Sequence, residues 1–250
     1  MKCRSMSASL PKFKGYQHHT FQPLGQPFEG SPTTQPSTVL VEETPLAISI
    51  NDITYAVVMV TPVDLASFAI GFCLSEGIIN QLSDVRDIQI HHSTIQLDID
   101  SIVINLDVSP RQFAQFKKKR AHLSASGCGL CGTESLEQAI PVLPELPPSQ
   151  SIPLHTLISL RERLTEHQIL GKKTGAIHAA LLLSPNNEPL CCMEDIGRHN
   201  ALDKIIGFAQ QHAINLHNHN VVMSSRCSTE LVQKAVRAGL SNLTHLASPS

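Results

Sequence analysis

Ala176-Ile177-His178-Ala179-Ala180-Leu181-Leu182-Leu183 is an apolar run broken by a single histidine, and Pro185-Asn186-Asn187 closes it as a turn. Downstream the pattern predicts a short strand around Leu190, a helix from Asn200 to Gln210, a strand at about 221–225 and a helix from Thr229 to Ala238. Upstream it predicts a helix near 154–168. Strands and helices alternate through this half, which makes α/β the expected class, α+β when the whole chain is considered.

The 250 residues are 42% apolar and 16% charged, enough for a sizeable core in one large or two small units. A formal net charge of −2 gives no reason to expect nucleic acid or an anionic membrane as partner. The lack of Trp, with only two Tyr, argues against a stacking platform for single-stranded nucleic acid. Seven cysteines at irregular spacing, with no secretory leader, predict a reduced cytoplasmic protein rather than a disulfide framework. No stretch approaches the roughly 20 apolar residues of a spanning helix.

Residues 1–37 are rich in Pro, Ser, Thr, Gln and Gly and read as a disordered tail. A β-rich subdomain is expected over 38–123. Leu46, Ile48 and Ile50 alternate before Asn51-Asp52, and Ile53, Tyr55 and Val57 resume the period, as in a β-hairpin. Thr61-Pro62-Val63-Asp64 offers a cap and first turn for a helix carrying Leu65, Phe68, Ala69 and Phe72. Strands at about 86–92, 94–99 and 102–108 and a short helix after Ser109-Pro110 follow. A mobile loop at 124–133 and a proline-rich linker at 134–153 lead into an α/β domain over 154–250.

Gly127-Cys128-Gly129-Leu130-Cys131-Gly132 sets two thiols three positions apart among glycines. Thr133 is a good N-cap for a helix to about Ile140, and the positive end of a helix favours a thiolate. Lys117 to Arg120 and His122 are close in sequence, and such surroundings bring a cysteine from about 8.5 down to roughly 3.5–7.5. At least one of the pair is therefore expected to be reactive. Half of a zinc site and a dithiol redox pair are the alternatives the motif leaves open.

Two further stretches carry polar chemistry. Glu194-Asp195-Ile196-Gly197-Arg198-His199-Asn200 leads into a helix, with Arg198 suited to clamp an anion and His199 and Asn200 at a helix start, where phosphate binds readily. The plainer reading is a capped, salt-bridged helix entrance. Ser224-Ser225-Arg226-Cys227-Ser228-Thr229-Glu230 is a second strand end of this kind. On neighbouring parallel strands the two turns would converge where α/β sheets bind ligands. His178 is either part of that site or a hydrogen-bonded core residue.

Together GCGLCG at 127–132, TGAIHAA at 174–180, EDIGRHNALDK at 194–204 and SSRCSTELVQKA at 224–235 resemble the formate dehydrogenase accessory sulfurtransferase family of FdhD/NarQ type. EETPLAISIN at 42–51 and FAIGFCLSEGII at 68–79 extend the resemblance over about residues 38–246. It implies a sulfurtransferase that takes persulfide sulfur from a cysteine desulfurase and passes it to the bis-molybdopterin guanine dinucleotide molybdenum cofactor, its substrate, for formate dehydrogenase. Cys128 matches the family nucleophile and Cys131 its companion. The resemblance also implies a homodimer, a cytidine-deaminase-like three-layer C-terminal domain, and cofactor binding at the strand ends. There the candidates are His178, Asp195, Arg198, His199, Asn200, Lys204, Ser225 and Arg226. The family pattern continues past Ser250, so the C-terminal end is expected to be missing. Neither an HxE nor a PCxxC motif is present, so no catalytic zinc and no structural metal is expected. The competing functions are a zinc-stabilised cofactor chaperone and a dithiol redox protein.

Overall fold

The computed structural model describes residues 14–20, 37–95, 99–123, 142–150 and 152–248. The thiol loop, and with it Cys128 and Cys131, lies outside the described residues, as do 1–13 and 21–36 of the expected tail.

Strands β3 (Thr44–Ile50) and β4 (Ile53–Val60) form the expected antiparallel hairpin. Asn51 and Asp52 take positive φ of 46° and 64°, the backbone that a two-residue hairpin turn of this kind requires. Strands β5 (Val85–Ile95) and β6 (Ile99–Val108) complete a sheet of order β4-β3-β6-β5, with β3 and β6 parallel. The three short strands expected over 86–108 are therefore two long ones, paired antiparallel from Val85 to Ile95. Leu46, Ile48, Ile50, Ile102, Ile104 and Leu106 are fully buried under helix α1 (Leu65–Ser75) and Phe116 of α2 (Pro110–Leu123).

Helix α1 starts later than the sequence suggests. Its N-cap is Asp64, at φ 54°, with no side-chain cap, because Thr61 is turned instead toward the C-terminal half. The tail reading is corrected at Tyr16–Thr20, which form strand β1 paired antiparallel with β2 (Ser37–Val41). Glu42 N donates to Gly15 O at 2.9 Å, and the Lys173 ammonium sits 4.3 Å from the Tyr16 ring centroid.

The C-terminal half holds a second sheet of order β10-β9-β7-β8, from β7 (His178–Leu183), β8 (Pro189–Asp195), β9 (Asn220–Met223) and β10 (Asn242–His245). Every residue from Ala179 to Leu183 has zero exposure, because both faces of β7 are covered. Ala180 and Leu182 pack on Leu202, Ile205 and Ile206 of α6 (Arg198–Gln211) and Leu231 of α7 (Thr229–Arg237). Ala179, Leu181 and Leu183 pack on Leu160 and Leu164 of α4 (Leu160–His167). The helix expected over 154–168 is two pieces, α3 (Leu154–Leu157) and α4, and the short α5 (Leu170–Thr174) precedes β7. At the far end of the sheet Gln150 N donates to Asn218 Oδ1 at 3.0 Å, which fixes the chain that returns from the linker.

The two halves meet where α1 crosses α6. A Cβ on Gly71 would lie 1.7 Å from Asp203 O, and one on Gly207 would lie 1.8 Å from Ser67 O. Only glycine lets the two backbones approach this closely, and backbone cannot swing aside as a side chain can. Gly207→Ala is expected to cost about 1–3 kcal/mol, read as a lower urea midpoint. An unchanged midpoint would mean that the crossing is looser than it is here.

Candidate functional site

Strands β8 and β9 both run antiparallel to β7, so they point the same way, but β7 lies between them. The two polar turns are thus not on neighbouring strands. They open at the same end of the sheet, with His178 at the start of β7 between them, because His178 pairs with Asp195 and Ala180 with Met223. This is the end at which open α/β sheets present ligand sites.

Much of the Glu194–Lys204 stretch is bonded inward. The Asp195 carboxylate and Lys204 ammonium sit 2.7 Å apart with no exposed side-chain surface. Lys204 Nζ also donates to Thr61 O at 3.1 Å and Glu194 O at 2.9 Å, so its three donors are all used inside the chain. Asp195 accepts from Thr61 N, Gly197 N and Asn200 Nδ2 at 3.1, 2.8 and 2.8 Å. Asn200 Nδ2 donates as well to Met59 O at 2.8 Å, and Ile196 N to Thr61 Oγ1 at 3.0 Å. These bonds fasten the end of β4 to the β8–α6 turn, so the turn that carries Arg198 and His199 is held from beneath by both halves of the protein. Glu194 works alongside: its carboxylate accepts the amides of Ile169, Leu170 and Gly171 at 2.8, 2.8 and 2.7 Å, anchoring α5 just before β7.

The groups left facing the site are Arg198, His199, His178 and the Ser224–Ser228 turn. Ser224 Oγ accepts from Ala179 N at 2.9 Å and lies 3.5 Å from His178 Nδ1. Ser225 is buried, and Arg226 is exposed. His199 Nε2 lies 2.9 Å from Glu230 Oε2, and His245 Nδ1 lies 3.3 Å from Ser225 O. Burial first, then the Arg198 guanidinium, holds both His178 and His199 below the ordinary imidazole pKa. Burial does the same to His245. The imidazoles are thus biased toward the neutral form, and Arg198 and Arg226 supply permanent charge. Arg198 Nε and Ser228 Oγ are buried donors with no hydrogen-bond partner among the described residues, suited to an anionic, oxygen-rich ligand, while the unpartnered His245 Nε2 is an acceptor in the neutral ring because Nδ1–H faces Ser225 O.

The structure thus brings His178, Arg198, His199, Ser225 and Arg226 to one end of the sheet, and places Asp195, Asn200 and Lys204 in its support. Glu230 and His245 were not singled out from the sequence. Glu230 lay within a motif already noted, whereas His245 carries no local signal. Three cysteines of the folded body are poor carriers. Burial raises Cys191 and Cys192 to about 12 and pushes the fully buried Cys73 far up. Cys227 is half-buried in the β9–α7 turn. No helix among the described residues is long and apolar enough to cross a membrane.

Comparison with known proteins identifies the family of the chain. The model of the FdhD/NarQ family matches residues 41–250. A protein of Bordetella bronchiseptica named sulfur carrier protein FdhD is 36% identical over 212 residues, covering 84% of this chain and 75% of its own. One of the same name from Variovorax paradoxus is 39% identical over 197 residues, 78% of this chain and 69% of its own. A solved structure described as a formate dehydrogenase accessory protein, from Desulfotalea psychrophila, shares the fold at TM-score 0.61 and 22% identity, covering 94% of this chain and 83% of its own. The mixed α/β chain described here belongs to the FdhD/NarQ family.

Proposed function

We propose that this protein is a sulfur carrier in formate dehydrogenase maturation, a sulfurtransferase working through a persulfide on Cys128. The thiolate of Cys128 attacks the terminal sulfur of a cysteine desulfurase persulfide, and the desulfurase cysteine leaves as thiolate. Cys128 then carries that sulfur to the bis-molybdopterin guanine dinucleotide cofactor, the substrate, with Cys131 as companion thiol. One observation carries the reading. The family-matched stretch retains the paired thiols of 127–132, while Cys73, Cys191 and Cys192 are held protonated in the fold.

In this reading Arg198, His199, His178, Ser225 and Arg226 take the phosphates and guanine of the substrate. Asp195, Asn200 and Lys204 keep their turn in place. The protein acts in the cytoplasm as a homodimer. Guanosine diphosphate is the test ligand for the site, titrated calorimetrically. Arg198→Ala and Arg226→Ala are each expected to weaken it about tenfold or more, the worth of a charge-assisted hydrogen bond. Unchanged affinity in both variants would move the substrate elsewhere, and stoichiometric zinc surviving chelation would favour a metal-stabilised chaperone.

A further inference from the structure

Helices α6 and α7 are joined by two side-chain rungs one turn apart, one an ion pair and the other a histidine–carboxylate contact that is ionic only when the ring is protonated. Asp203 Oδ2 meets Lys234 Nζ at 3.0 Å, and His199 Nε2 meets Glu230 Oε2 at 2.9 Å. Residues 199 and 203, like 230 and 234, are four apart and so share a helix face. The inner rung is buried and continues into the first half of the protein, where Lys234 donates to Ser75 Oγ at 2.8 Å and pairs with Glu76 at 3.2 Å. The outer rung opens on the candidate site, with side chains 28% and 45% exposed.

Glu230 is out of character at the edge of a site whose other charges are the guanidiniums of Arg198 and Arg226, since a free carboxylate there repels an anion. We propose that Glu230 is a positioning residue for the site: it fixes the His199 imidazole at the rim and keeps that ring able to take a proton when a phosphate-bearing ligand enters. The inference deepens the reading above and rests on it.

The charged groups facing His199 are Arg198 on its own helix and Glu230 and Lys234 on α7. Burial, Arg198 and Lys234 all disfavour the protonated ring, and Glu230 is the group that opposes them. Removing the Glu230 charge therefore moves protonation of His199 to lower pH. A protonated His199 adds a charge-assisted bond to an anion, so affinity should rise as pH falls through the His199 titration.

The test uses the full chain with inorganic pyrophosphate as probe. Histidine resonances are followed by NMR, with His199 assigned through His199→Gln, and pyrophosphate affinity is measured at each pH. In the unmodified protein affinity should rise on the order of tenfold across the His199 titration. In Glu230→Gln both the resonance midpoint and the affinity step should shift to more acid pH, by a few tenths of a unit to about one unit, and Glu230→Asp should restore part of the shift. A His199 midpoint unmoved by Glu230→Gln would overturn the proposal. So would a uniform gain in affinity at every pH, the signature of simple charge removal, or an affinity that His199→Gln leaves with its full pH step. Persulfide loading of Cys128 is measured separately on unmodified protein. Its absence would end the sulfur-carrier reading while the His199 titration would still report on Glu230.

Discussion

Cys128→Ser is expected to abolish sulfur carriage outright while the protein folds as before. A serine hydroxyl is neither ionised near neutral pH nor able to hold a persulfide, so no residual carrier activity should survive at that position. Cys73, Cys191 and Cys192 of the folded body cannot readily substitute, since burial holds all three as thiols. The sequence places Cys128 in a glycine-flanked loop, so the change in stability should stay within about 0.5 kcal/mol. The measurement is transfer of labelled sulfur from a desulfurase alongside thermal unfolding. Transfer at the original rate, or loss of folding, would each contradict the assignment.

Lys204→Met should have the largest effect on stability, about 3–5 kcal/mol, because it leaves the Asp195 carboxylate buried without its counter-charge. Adding Asp195→Asn should recover part of the loss, since a neutral amide needs no counter-charge. The effect should reach the joint between the halves, because Asp195 accepts from Thr61 N, Lys204 donates to Thr61 O, and Asn200, which donates to Asp195, also donates to Met59 O. Urea unfolding of the single and double variants checks this. A loss below about 1 kcal/mol for Lys204→Met would show that the pair is less isolated from water than its zero exposure implies.

What the sequence revealed and what it hid divide along the distance between interacting residues. The Asn51-Asp52 hairpin was readable because turn chemistry and strand alternation are local. The strand and helix alternation after residue 154 was readable for the same reason. The insertion of β7 between β8 and β9 was not, since strand order follows from which faces can be buried together rather than from any period. Thr61 looked like a helix cap, yet its partners are Asp195, Ile196 and Lys204, more than 130 residues away. Gly71 and Gly207 gave no sign that they face each other. In the site, Arg198 and Arg226 stood out as cations in polar turns. The pairing of His199 with Glu230 and the approach of His245 to Ser225 depend on α7 and β10 packing beside α6 and β9.

Mass spectrometry of the peptide spanning Cys128 and Cys131, after incubation with a cysteine desulfurase and cysteine, tests the central claim most directly. Gain of one sulfur atom on Cys128, removed by reductant, is the expected result. A pair found only as metal-bound thiols or as an internal disulfide would make the loop a structural or redox element and contradict the sulfur-carrier account.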